Sequence, residues 1–185
     1  MGYKKASTDS ICKAAGISKG LLFHYFGTKE NLYNFLIEYA IEVMTSKYLG
    51  RIDIGQGDVL QSIWQMAVLK GEISVALPAV FDFVTSVYLE SGGAAGNEGF
   101  AKMMRVRAEV MAKVQQAADL SLFKADIAPP HRAIQIINWA IDGYAKSLTA
   151  ATPPSEAGET ARENYNKYLK ELEEMLDIFR RCFYE

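Results

Sequence analysis

Residues 7–33, STDSICKAAGISKGLLFHYFGTKENLY, decide the fold of this chain. A side-chain oxygen of Ser7 or Thr8 can accept an orphan N–H of an opening helical turn, so a helix starts here. Ile11, Ala14 and Ala15 give that helix an apolar side. Gly16 stands where it must end, because glycine alone takes a left-handed conformation without steric cost. Ile17 then plugs the turn, and Ser18 is placed to cap a second helix reaching Phe26. Within it Leu22 and Phe26, four apart, share an inward face, and Leu21, His24 and Tyr25 share another. Gly27-Thr28 breaks and recaps the chain before Lys29. Phe23 and Phe26 are expected in the core. Two short helices joined by a glycine-containing turn make a helix-turn-helix, whose second helix enters the DNA major groove.

Outward from this segment the pattern stays helical. Leu32, Phe35, Leu36, Tyr39, Ile41 and Val43 begin a long helix that Gly50 to Gly57 interrupts. Further helices are expected from Val59 to Lys70, Glu72 to Glu90, Phe100 to Leu120, His131 to Ala150 and Glu156 to Tyr184. Pro78 marks a start or kink in the second of these. Gly92–Gly96, Pro129-Pro130 and Thr152–Ser155 read as connections, and no β-type alternation of useful length occurs. The predicted fold is all-α: a helix-turn-helix head over residues 1–45, then a helical ligand-binding and dimerisation domain over 46–185.

Half of the 185 residues are hydrophobic and 23% charged, enough to build a core and to exclude a disordered chain. No apolar run is long enough to cross a membrane, and the start lacks a signal-peptide pattern, so a cytoplasmic protein without a membrane partner is expected. Cys12 and Cys182 lie on apolar helix faces and read as buried free thiols. The net charge of −2 hides an asymmetry: residues 1–30 carry +3 and the remainder −5. A basic end on an acidic body suits a molecule that meets phosphates at one end.

The run Gly16-Ile17-Ser18-Lys19-Gly20, with Leu22, His24-Tyr25-Phe26, Lys29-Glu30 and Leu32, closely resembles the DNA-binding region of the TetR family of bacterial regulators. The resemblance implies DNA contacts at Thr8, Ser18, Lys19, Gly20, Leu21, His24, Tyr25 and Lys29. Leu21 departs from the polar residue common at its position. Family members also carry a helix before the position of Gly2; Met1-Gly2-Tyr3 matches the end of that helix and its turn, so the expectation is that the helix is omitted from this sequence.

The resemblance further implies a palindromic double-stranded DNA operator, a homodimer joined by the last two helices as a four-helix bundle, and repression relieved by a small effector. Two apolar stripes fit such a bundle or, equally, an internal core. One comprises Ile134, Ile137, Ile141, Tyr144 and Leu148, the other Tyr165, Tyr168, Leu169, Leu172, Leu176, Phe179 and Phe183. The expected dimer interface is Ile137, Ile141, Tyr144, Leu148, Leu169, Leu172, Leu176 and Phe179. For the effector, a hydrophobic pocket is expected from Trp64, Phe81, Tyr88, Met103, Arg107, Met111 and Trp139, since aromatic and methionine side chains make adaptable walls. No nucleotide-binding glycine loop, nucleophile elbow or metal-ligand spacing is present, which speaks against an enzyme and against a metal or other cofactor. The alternative to a regulator is a helical dimerisation protein with a weakened DNA-binding head.

Overall fold

Ser7 stands in extended backbone and its Oγ accepts the Ser10 N–H at 3.1 Å, which starts helix α1, Thr8–Ala15. Gly16 closes it at φ 67°, with its N–H on the Cys12 and Lys13 carbonyls. Ser18 lies just outside α2, Lys19–Phe26, and accepts the Leu21 N–H at 3.1 Å. Thr28 Oγ1 takes the Asn31 N–H at 3.0 Å, while the Asn31 side chain donates back to the Phe26 carbonyl at 2.9 Å. This pair fixes the corner into α3, Lys29–Lys47. Cys12, Leu22 and Leu32 form the small core of the head, with Ile11, Ile17, Phe26 and Leu36 around it. Phe23 departs from expectation: it points outward and is exposed.

The computed structural model describes residues 3–4, 6–47, 51–53, 57–91, 98–151 and 159–185. The predicted breaks at Gly92–Gly96 and Thr152–Ser155, and Met1-Gly2, lie outside the described residues. The body comprises α4 (Val59–Ala76), α5 (Pro78–Ser91), α6 (Glu98–Gln116), a short 3-10 turn at Leu120–Leu122, α7 (Pro130–Ala151) and α8 (Glu159–Phe183). The all-α class holds. Among the described residues the only β pairing is an isolated antiparallel bridge between Phe123 and Tyr184.

Helix α4 runs past the break expected near Gly71 and stops at Leu77. Gly71 faces α8, where a Cβ would meet Leu169 Cδ1 at 3.3 Å and Tyr165 Cε1 at 3.4 Å. The glycine therefore allows two helices to approach closely rather than ending one. Pro78 opens α5, a position where its missing N–H costs nothing.

The main core joins Val59, Leu60 and Ile63 of α4 to Ile134, Ile137 and Ile141 of α7 and Leu172 and Leu176 of α8. Four of the eight residues expected at the dimer interface lie in this core. Ile137 and Leu172 have no exposed surface, and Ile141 and Leu176 are buried within the same subunit. Of the other four, Leu169 and Phe179 pack against this core, Tyr144 stacks on Tyr168, and Leu148 lines an internal cavity. The strongest apolar stripe of each helix faces its own domain, as a surface helix requires. The outward side of α7 and α8 carries Ile136, Trp139 and Ile178, all exposed. Cys182 is exposed as well, against expectation, while Cys12 is buried; both are free thiols.

A clasp ties the start of α4 to the end of the chain. Asp58 caps α4 through the Gln61 N–H at 3.0 Å, accepts the Tyr184 hydroxyl at 3.1 Å and receives Arg180 at 2.9 Å. Burial opposes ionisation of Asp58, but these three donors outweigh it and hold its pKa below 3.8. A carboxylate with a lowered pKa adds stability that is complete above its unfolded value and disappears as pH falls through the folded one. Asp58→Ala is expected to cost about 2 kcal/mol at neutral pH. In urea titrations at descending pH, the gap to the wild type should close below about pH 4.

Candidate nucleic-acid interface and sensor cavity

Once Leu22 anchors α2 to the head, the other side of that helix faces solvent. Ser18, Lys19, Gly20, Leu21, His24 and Tyr25 are all exposed, Tyr25 most of all among the large side chains, at 73%. Thr8 and Lys29 flank them and are half-buried. The eight expected contact residues thus lie on α1, α2 and the start of α3, around one convex edge. Several are held in place by neighbours. Lys19 pairs with Asp9 at 3.0 Å, a surface bridge of little energetic weight that phosphate can replace. The Lys29 ammonium sits 4.3 Å from the centre of the Tyr3 ring. His24 and Tyr25 meet edge to face at 5.4 Å. Ser18 Oγ is occupied as a cap, so what α2 offers first is the unpaired N–H groups of its opening turn.

A second feature lies inside the body. Helices α3 to α8 line a partly open cavity of about 430 Å³ with mostly apolar walls. Of the predicted pocket residues, Phe81, Tyr88, Met103, Arg107 and Met111 line it. Trp64 and Trp139 do not: Trp64 packs against the main core, and Trp139 is 61% exposed on the outside of α7. Polar wall residues outside the expected pocket include Lys70, Asp142, Tyr165 and Tyr168. Tyr165 donates its hydroxyl to the Ala67 carbonyl at 2.8 Å and meets Phe81 edge to face at 5.6 Å. Burial raises the pKa of both tyrosines. Arg107 of α6 pairs with Asp142 of α7 across the wall.

Lys70 lines the cavity, with its side chain exposed and many protein atoms around its ammonium. Loss of water around its ammonium, with the nearby charge of Arg107, pulls its pKa down from 10.5 to about 8. The signal was present in the sequence. Ile63, Ala67, Lys70 and Ser74 follow the helical repeat, so a lysine occupies a core-facing register between residues that are all buried.

Helix α3 belongs to both features. Leu32 lies in the head core, Tyr33 and Ile37 pack with Val87 of α5, and Ile41, Met44 and Thr45 reach the cavity wall. Lys102 of α6 pairs with Glu38 of α3 at 2.7 Å. Among the described residues no helix is long and apolar enough to cross a membrane, and no group of three or more His, Cys, Asp or Glu residues could hold a metal.

Residues 1–35 match the family model for bacterial regulatory proteins, tetR family. No curated protein matches the chain.

Proposed function

We propose that this chain, whose residues 1–35 match the model for bacterial regulatory proteins, tetR family, is a DNA-binding transcriptional regulator of that family that represses transcription as a homodimer on a palindromic operator and is released by a small hydrophobic effector. The observation carrying this reading is that α3 leaves the DNA-reading head and ends in the wall of the cavity. A molecule with different affinity for two tilts of α3 would shift the population between them, and with it the spacing of two heads. In this reading residues 1–45 act as the head and 46–185 as the sensor and dimerisation body, working in the cytoplasm where the operator is.

Each contact has a role set by its chemistry. The first turn of α2, from Ser18 to Gly20, presents N–H groups to a phosphate, and Gly20 lets the backbone come close. Lys19, Lys29 and Thr8 meet phosphates. Leu21, His24 and Tyr25 face base edges, where Leu21 and the Tyr25 ring suit a thymine methyl. Ile136, Trp139 and Ile178 replace the internal stripes as the faces that join two subunits. Twofold symmetry then sets the α2 helices about 34 Å apart, one turn of DNA.

Gel-shift titrations of the full chain against the DNA upstream of its own gene test this. Lys29→Ala is expected to weaken binding about tenfold across sequences and to lower the slope against log salt by about 1. Tyr25→Ala should lose about 1–3 kcal/mol and relax preference at one base step. Absent or salt-independent binding by the wild type would leave only a helical dimerisation protein.

A further inference from the structure

The cavity holds more positive charge than its walls neutralise. Its charged residues are Lys70, Arg107 and Asp142, and Asp142 is taken by Arg107. Among the described residues no carboxylate pairs with Lys70; its ammonium rests 5.4 Å from the centre of the Tyr165 ring. A ring face offers a lysine only part of what a counter-ion would. Lys70 is thus a cation of the cavity wall without a paired anion, and the nearby charge of Arg107 repels it. Such an arrangement is unfavourable in the empty protein, and an anion entering from solution relieves it.

We propose that the effector is an anionic amphiphile, a carboxylic acid with an apolar chain or ring, whose carboxylate docks on Lys70 within the field of Arg107. This rests on the ligand-sensing reading above and adds the chemical class. The apolar body of the acid lies along Phe81, Met103, Met104 and Met111, whose methionines adapt to its outline. One surplus positive charge matches a monoanion. A dianionic phosphate monoester would leave a buried negative charge uncompensated, and a neutral alcohol would leave Lys70 as it is. A cavity of about 430 Å³ also falls within the size range of small-molecule sites. The same charge explains why Lys70 occupies a register that otherwise carries Ile63 and Ala67.

The test compares decanoate with 1-decanol, equal in length and different in charge, by calorimetric titration into the full-length protein at pH 7 and by release of operator DNA in gel shifts. The wild type is expected to bind decanoate about tenfold or more tightly than 1-decanol, the difference a charge-assisted contact supplies. In Lys70→Met, which is unbranched, one atom shorter and uncharged, that preference disappears, the two probes then binding within about threefold of each other. The wild-type comparison stands by itself if the variant does not fold. Equal affinity of the two probes for the wild type, or an intact preference in Lys70→Met, overturns the proposal. If 1-decanol binds and releases DNA without any advantage to decanoate, only the charge assignment fails. If neither probe binds or releases DNA, the ligand-sensing reading fails with it.

Discussion

Trp139→Glu is expected to convert the proposed dimer into monomers and to lower operator affinity by about two to three orders of magnitude. The indole is 61% exposed on one subunit, with Ile136 at 37% three positions before it on α7 and Ile178 at 56% on α8. A large aromatic left in water on a helix that already has a buried stripe marks an interaction surface. At a twofold interface each substitution occurs twice, so a loss of about 2 kcal/mol per hot-spot residue becomes about 4, or roughly a thousandfold in the dimer constant. The introduced carboxylates add their own desolvation cost. Operator affinity follows because two tethered heads act at a high effective concentration and a single head does not. Sedimentation velocity and gel shifts check both halves. Since the exposed indole contributes little to the subunit core, the monomer should keep its helical circular dichroism. A dimer that survives the change would place the subunit contact elsewhere.

Leu172→Ala is expected to cost about 3–4 kcal/mol and to lower the melting temperature by about 10 °C. Leu172 has no exposed surface and packs among α4, α7 and α8. Truncation there removes the transfer energy of the lost methyl groups and leaves a hole that rigid helices cannot collapse around. The measurement also decides between the two uses of the α8 stripe. If Leu172 faced a partner subunit, its loss would act chiefly on the dimer constant. As a core residue it should destabilise the folded subunit, with a melting point lowered at every protein concentration, in a monomeric Trp139→Glu background too.

The head was the most legible part of the sequence because its determinants are local. Ser7, Gly16, Ser18 and Gly27 each act on their own turn, and each stands in the structure where its chemistry placed it. The body was legible as helices, not as neighbours. Periodicity identified Ile137, Ile141, Leu172 and Leu176 as one-sided, but a stripe does not say whether another helix of the same chain or a second subunit covers it. Tertiary contacts decided that. Gly71 falls between the two expected helices Val59 to Lys70 and Glu72 to Glu90, and the proximity of Leu169, 98 positions later, is out of reach of any local window. The cavity was half legible for the same reason. Phe81, Tyr88, Met103, Arg107 and Met111 converge on it, whereas Trp64 and Trp139 have the same composition and opposite surroundings. Lys70 was legible and passed over, since a single lysine in an apolar row attracts less notice than an aromatic one.

The contact at Gly71 has a mechanical consequence. With no side chain between them, α4 and α8 approach almost backbone to side chain, and both share the large apolar cluster with α7. These three helices make a stator. On the opposite wall α3 meets α5 and α6 through the smaller cluster of Tyr33, Ile37 and Val87 and the surface pair Lys102–Glu38, while Phe81 ties α5, and Val114 ties α6, to the stator. A molecule wedged into the cavity therefore meets a stiff side and a compliant one. In the proposed response to an effector, the displacement passes to the compliant side, whose leading member is the lever arm of the head.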